Sequence, residues 1–206
     1  MKIRQILNNN VALVQRGSSE IIVLSRGVSF KKRVGDRIKE EEIEKWKDII
    51  KNMYYPYEEN LKVFLQQEGY MDKEQILVKD LDPAQRPLNQ KWSWDRILRS
   101  CYIKQADVLQ GIYFFEERFD LDTIKRNFEF YESRTVHESS LSPCVHSILA
   151  AKIGNIDKAY ELYLRTARLD IDDYNKEVRE GLHITSMAGT WLSIVEGFGG
   201  MRVKEG

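Results

Sequence analysis

The spacing of apolar residues changes character about a fifth of the way along the chain. Up to Leu24 they come in short, loosely alternating runs: Ile3 to Leu7, Val11 to Val14, and Ile21 to Leu24. Such runs, bounded by polar turns, predict strands. Asn8-Asn9-Asn10 separates the first from the second, and Arg16-Gly17-Ser18-Ser19 is a hairpin-type turn to the third. From Trp46 the spacing becomes three and four. Trp46, Ile49, Ile50 and Met53 share one helical face, ended by Tyr54-Tyr55-Pro56-Tyr57. Residues 57–90 have weak periodicity and contain Gly69, Pro83 and Pro87, which predicts a long connection with short elements.

Helices then follow in close succession. One runs from Ser93 to Tyr102 and another from Lys104 to Arg118, with Val108, Ile112, Phe115 and Phe119 on its buried face. Leu121, Ile124, Phe128 and Tyr131 mark the next. Ser142-Pro143 reads as a cap followed by a first-turn proline, and Gly154 stops that helix. Ile156 to Arg168 should bury Ala159, Tyr160, Tyr163, Leu164 and Ala167, and the last helix should run from about Ser186 to Glu196. Short links make successive helices antiparallel neighbours. No fixed repeat is present, which favours part of an α/α barrel over a solenoid. The predicted class is mainly α: helical hairpins of a partial (α/α)6 barrel preceded by a small antiparallel β module.

Charge sharpens this division. Residues 1–39 carry nine Lys/Arg against Glu20 and Asp36, while the whole chain is balanced at 32 against 32. The remainder is therefore acidic by the same margin, and such asymmetry points to two modules with different partners, here divided as 1–44 and 45–206. No apolar run approaches the roughly 18 residues of a membrane span. Met1-Lys2-Ile3-Arg4-Gln5 lacks the apolar core of a signal peptide. Only Cys101 and Cys144 occur, without metal-ligand or redox spacing, so a reduced, cytoplasmic setting is expected.

Candidate chemistry lies between the predicted helices. Trp92 to Arg96, Lys104 to Asp107, His137 to Ser142 and His183 to Ser186 are polar clusters flanked by aromatics. Sugar pockets need that mixture: charged and amide groups for hydroxyls, rings for the apolar sugar face. A serine-rich turn opening onto a helix also offers free backbone N–H groups to an anion. The bland alternatives are a simple cap for Ser139 to Ser142, a packed core position for His146, and a surface or core histidine at His183. Asp170-Ile171-Asp172-Asp173 reads as a helix-end turn, no metal site is expected, and no nucleophile-elbow pattern occurs. In the basic module, cations meet phosphates, an exposed ring stacks on a base and Asn amides read base edges. The alternative there is a solvated hairpin with Phe30 in its core.

Ile6-Leu7-Asn8-Asn9-Asn10-Val11, Ser25-Arg26-Gly27-Val28-Ser29-Phe30-Lys31-Lys32 and Val34-Gly35-Asp36 resemble the CAT (co-antiterminator) RNA-binding domain of sugar-operon antiterminators. That resemblance implies a small antiparallel sheet that dimerises and clamps an RNA hairpin, through Asn8, Asn10, Arg26, Gly27 and Phe30. The family's last strand is expected to be missing, because Ile43-Glu44-Lys45 runs into the helical pattern at Trp46.

A second resemblance covers residues 46–206. Phe64 to Tyr70, Asn89 to Asp95, Ile103 to Gly111, Thr135 to Pro143 and His183 to Trp191 are similar to glycoside hydrolase family 65, the family of maltose phosphorylases and their relatives. It implies an (α/α)6 catalytic barrel that cleaves an α-glucosidic, maltose-like disaccharide with inorganic phosphate, inverting the anomeric centre, without a cofactor. Lys104 and Gln105 would contact the glucosyl unit, and His183, Ser139 and Ser140 would hold phosphate. The family's general-acid glutamate sits in a Gly-Pro-Asp-Glu-Tyr-type motif that does not occur here, and Glu138 is not its equivalent. No catalytic residue is therefore expected in this chain. Three readings follow: a phosphorylase fragment inactive by itself, an RNA-binding regulator, or a joined remnant of both.

Overall fold

The computed structural model describes residues 1–8, 11–24, 31–37, 40–174 and 176–202. It contains two compact units, Met1–Tyr54 and Tyr55–Gly206.

In the first unit, β1 (Lys2–Asn8), β2 (Val11–Arg16) and β3 (Ser19–Leu24) form an antiparallel sheet in that order. Gly17, at φ +62, makes the tight turn between β2 and β3, where an L side chain would be strained. Alternation puts Ile3, Ala12 and Val14 on one face, all fully buried. Ile43 and Trp46 from α1 (Glu40–Asn52) pack against that face. The helix thus starts earlier than its apolar spacing predicts and buries a different stripe: Ile49, Ile50 and Met53 are exposed. α1 also crosses the expected division at 44/45. The outer edge of β1 is partly covered, since Ile3 donates to Asp36 O at 2.8 Å and Gly35 donates to Ile3 O at 2.9 Å. Asn10, Arg26, Gly27 and Phe30, named above for RNA, lie outside the described residues, as does the side chain of Asn8 at the end of β1.

The second unit opens with a short hairpin, β4 (Tyr57–Glu58) and β5 (Val63–Phe64), and irregular turns to residue 87. The helices are α2 (Leu88–Lys91), α3 (Trp94–Arg99), α4 (Val108–Phe114), α5 (Leu121–Glu132), α6 (Ser142–Lys152), α7 (Ile156–Ala167) and α8 (Ile184–Leu192). A π-helical turn, Ser193–Phe198, continues α8. α5 and α7 begin at side-chain caps, Asp120 accepting from Thr123 N and Asn155 from Lys158 N. α6 is apolar nearly all round and is the buried centre, with Val145, Ile148, Leu149 and Ala150 in the core. α5 pins the hairpin: Asn127 accepts from Phe64 N at 2.9 Å, and Tyr131 Oη donates to Phe64 O at 2.7 Å.

Several expectations are corrected here. The stretch from Lys104 to Asp107 is not helical, because Ile103 is tied to the 134–136 segment: Ile103 N donates to Arg134 O at 3.0 Å and Val136 N to Ile103 O at 2.8 Å. α4 starts only at Val108, and Phe115 is exposed. Ser142 does not cap α6; it lies inside the first turn, and its hydroxyl is 2.8 Å from His137 Nδ1. Tyr160 faces solvent, and the buried stripe of α7 is Ala159, Leu162 and Thr166. Among the described residues, no helix is long and apolar enough to cross a membrane.

Candidate functional site

The bridge between Ile103 and Thr135 has a direct consequence for chemistry. Two chain segments leave it side by side, carrying Lys104-Gln105 on one and His137 to Ser140 on the other. Ser139 Oγ donates to Gln105 Oε1 at 3.0 Å. Ser140 Oγ lies 2.8 Å from Thr185 Oγ1, and Ser186 Oγ reaches Ser140 O at 3.5 Å. The first turns of α6 and α8 therefore meet at the serine pair. His183 occupies the position before α8. Four of the expected residues, Gln105, Ser139, Ser140 and His183, are thus drawn to one end of the helical unit, through contacts or chain adjacency. Lys104 is exposed beside Gln105.

His183 is held by a partner that its own motif does not contain. Asp170 accepts from the His183 backbone N–H at 2.8 Å, and its other oxygen lies 2.6 Å from Nδ1. These hydrogen bonds hold the Asp170 carboxyl below the usual carboxylate range. With Nδ1 engaged, the other ring nitrogen, Nε2, stands 3.6 Å from Glu177. The Asp170–Asp173 stretch is a turn, as its spacing suggested, but it also orients the histidine.

The serine turn is braced from behind. His137 has φ +53, unusual for a residue with a side chain. Three contacts hold it there: Arg165 Nη2 donates to its carbonyl at 2.7 Å, Ser142 Oγ meets Nδ1, and Glu132 Oε2 lies 3.2 Å from Nε2. His146, fully buried, places Nδ1 2.5 Å from the same Glu132 oxygen. Burial pushes the His137 imidazole down to about 4, against the pull of Glu132. Burial also pushes Glu132 up, but the hydrogen bonds from His137 and His146 outweigh it and hold the carboxyl well below its ordinary range. A neutral His137 imidazole donating Nε2–H to the ionised Glu132 carboxylate satisfies both observations.

Ligand atoms of Glu132, His137 and His146 lie within 4.8 Å of one another, close enough to suggest a metal site. Ligands 2.0–2.1 Å from one tetrahedral ion stand about 3.3 Å apart. The 2.5 Å contact of His146 with Glu132 is a hydrogen-bond distance instead. The Lys158 ammonium, 3.7 Å from Glu132 Oε1, also opposes a cation. The cluster reads as a proton-bridged brace.

Glu138 is also structural. Its carboxylate accepts from Leu88 N at 2.8 Å and from Arg86 Nε at 3.2 Å, and its side chain is 8% exposed. Both oxygens are occupied, which leaves no free acid at this position. Glu132, Arg86 and Arg165 stand in none of the sequence motifs, and Asp170 reads there only as part of a helix-end turn. Each is an ordinary helix-end or loop charge in sequence, and its partner lies too far along the chain for spacing to signal.

The sequence profile described as the glycosyl hydrolase family 65 central catalytic domain matches residues 19–192. The chain is 59% identical over 175 residues to a maltose phosphorylase of Bacillus subtilis (strain 168), covering 85% of this chain and 23% of that protein. It is 46% identical over 166 residues to an α,α-trehalose phosphorylase of Thermoanaerobacter brockii, covering 81% of this chain and 21% of that one. A solved structure titled as a putative kojibiose phosphorylase from human microbiome superposes with a TM-score of 0.73 at 40% identity, over 81% of this chain and 22% of that chain. The chain spans between a fifth and a quarter of the length of these relatives.

Proposed function

The chain belongs to glycosyl hydrolase family 65, and on that premise we propose that it carries the glucosyl- and phosphate-binding side of an inverting disaccharide phosphorylase. The substrates would be a maltose-like α-glucosidic disaccharide and inorganic phosphate, giving β-glucose 1-phosphate and glucose. Lys104 and Gln105 hold the glucosyl hydroxyls. Ser139, Ser140 and His183 hold phosphate on the opposite face.

The observation that carries this reading is the convergence of the Ser139–Ser140 turn with Gln105 and Thr185 at the first turns of α6 and α8. Hydroxyls and first-turn N–H groups suit an anion there. Phosphorolysis has a distinctive requirement: phosphate is already anionic, so the site must position the nucleophile rather than deprotonate it. Donors are what that task needs. Protonation of the leaving oxygen requires a carboxylic acid, and Glu138, with both oxygens engaged, is not assigned that role. The family segment is proposed to begin near residue 45, in a chain built as helical hairpins of the (α/α)6 barrel.

Titrating the chain with inorganic phosphate by calorimetry tests the reading. Ser139→Ala/Ser140→Ala should weaken binding by about 10- to 100-fold, the loss of one or two hydrogen bonds to a charged group. His183→Ala should act in the same direction. Phosphate affinity unchanged in both variants rejects the assignment.

A second reading concerns residues 1–44. The antiparallel sheet β1-β2-β3, with a basic excess around it, supports a hairpin-RNA-binding module of the CAT type, acting in dimeric form.

A further inference from the structure

A cleft of about 390 Å³ opens beside Glu138, within the usual range for small-molecule pockets. Its lining contains none of Lys104, Gln105, Ser139, Ser140 or His183. Four cations border it: Arg86, Lys91, Arg165 and Lys176. The acids are Glu138 and Glu177. Glu138 is already engaged by Arg86 and Leu88 N, and Glu177 stands near His183. Neither Lys91 nor Lys176 makes an ion pair with any described residue.

Arg165 is the most informative member. Its Nη2 braces the His137 carbonyl, and its guanidinium lies 5.4 Å from the Tyr174 ring centroid. Its Nε is buried and has no hydrogen-bond partner among the described residues. A guanidinium N–H removed from water without an acceptor is costly, and the same guanidinium lines the cleft. Burial, and then the charge of Arg86, push the Arg165 guanidinium down, as expected where positive charge is in excess.

We propose that this cleft binds a phosphorylated sugar or polyol, with Arg165, Lys91 and Lys176 on the phosphate group. A phosphate monoester is close to a dianion at neutral pH and matches two unpaired ammonium groups plus an orphaned guanidinium N–H. The rest of the lining fits a polyhydroxylated body. Asn89 and Gln90 supply donors and acceptors for hydroxyls, and the Tyr174 ring offers an apolar face. This goes beyond the glucosyl and phosphate site proposed above, because none of that site's residues lines the cleft.

The test titrates the full chain with glucose 6-phosphate and, separately, with inorganic phosphate, at low salt by calorimetry. Lys91→Gln/Lys176→Gln changes two exposed side chains and leaves the packing of the core untouched. It should weaken glucose 6-phosphate binding by about tenfold or more, through loss of two nearby charges. Arg165→Lys, which keeps the charge and loses the Nε–H, should weaken it as well. Ser139→Ala/Ser140→Ala should leave glucose 6-phosphate binding at the wild-type level. The proposal is overturned by any of three results: no heat up to about 10 mM ligand, wild-type affinity in the double lysine variant, or loss of binding only in the serine variant. That last result would support the serine turn as the phosphate site while removing this one. Equal affinity for inorganic phosphate and glucose 6-phosphate in the Ser139→Ala/Ser140→Ala variant would overturn the recognition of the polyhydroxyl part.

Discussion

His137 sits where three separate parts of the chain hold it, and its environment makes stability depend on pH. The imidazole lies lower in the folded chain, at about 4, than its ordinary value of 6.5. Between those values the unfolded chain binds a proton that the folded chain refuses. Stability is therefore lost as pH falls through this window, with a slope of at most about 1.4 kcal/mol per pH unit for one group. Glu132 acts in the same sense further down: its folded carboxyl lies below the ordinary 4.5, so its contribution fades as pH drops below that value. Urea unfolding between pH 7.5 and pH 4 should show a monotonic fall in the midpoint, steepening below about 6.5. A flat profile across that range would remove the buried brace as a source of stability. Little of this brace was legible beforehand. Lys104, Gln105, Ser139, Ser140 and His183 stood out because they lie in short polar motifs. Glu132 looks like any carboxylate at a helix end until His137 and His146 are folded onto it.

At the scale of elements, what could be read depended on where the signal was local. α5 and α7 are legible in the spacing of Leu121, Ile124, Phe128 and Tyr131 and in the run from Ile156 to Arg168, and the structure adds the caps Asp120 and Asn155 at their starts. α6 has almost no amphipathic pattern because it is buried on all sides, yet Ser142-Pro143 and Gly154 still mark its ends. The start of α4 and the buried stripe of α1 were not legible. The first depends on a bridge from Ile103 to Thr135, the second on the sheet that Ile43 and Trp46 meet. The approach of α8 to α6 and α7 gives a test of packing. A Cβ built on Gly189 would meet Cys144 Cβ at 2.8 Å and Thr166 Cγ2 at 3.2 Å. Helix propensity favours Ala over Gly by roughly 0.8–1.0 kcal/mol, but overpacking a close helix contact costs about 1–3 kcal/mol. The nearest neighbour is a Cβ fixed to another helix, so it cannot swing away. Gly189→Ala should therefore destabilise the chain by about 1–2 kcal/mol, read as a lower urea midpoint with unchanged slope. A rise in the midpoint would mean that α8 yields easily and that its contact with α6 does not fix the Ser140–Thr185 junction.

At the scale of the whole molecule, the chain joins a basic sheet unit to a larger helical unit, and the family profile begins inside β3. An excess of positive charge attracts any polyanion, so a test of hairpin recognition by the first unit has to separate it from attraction. Salt does this. Counterion release makes the logarithm of the affinity fall linearly with the logarithm of salt, with a slope near 0.7–0.9 per phosphate contact. Arg4→Gln/Arg16→Gln removes two cations from the sheet and should flatten that slope if they touch phosphates, for hairpin and single-stranded RNA alike. Phe30→Ala and Asn10→Ala remove a ring and an amide but no charge. If those groups stack on and read unpaired bases, they should weaken hairpin binding by about 1–3 kcal/mol per stacking contact and leave the slope as it was. Fluorescence anisotropy of a labelled hairpin and of an unstructured strand of equal length, each titrated at several salt concentrations, reads both quantities. Equal affinities for the two RNAs, with Phe30→Ala and Asn10→Ala indistinguishable from the parent, would reduce the basic unit to a solvated sheet with a positive surface. A preference for the hairpin that both substitutions abolish would add an RNA binder at one end to a chain that matches glycosyl hydrolase family 65 over residues 19–192.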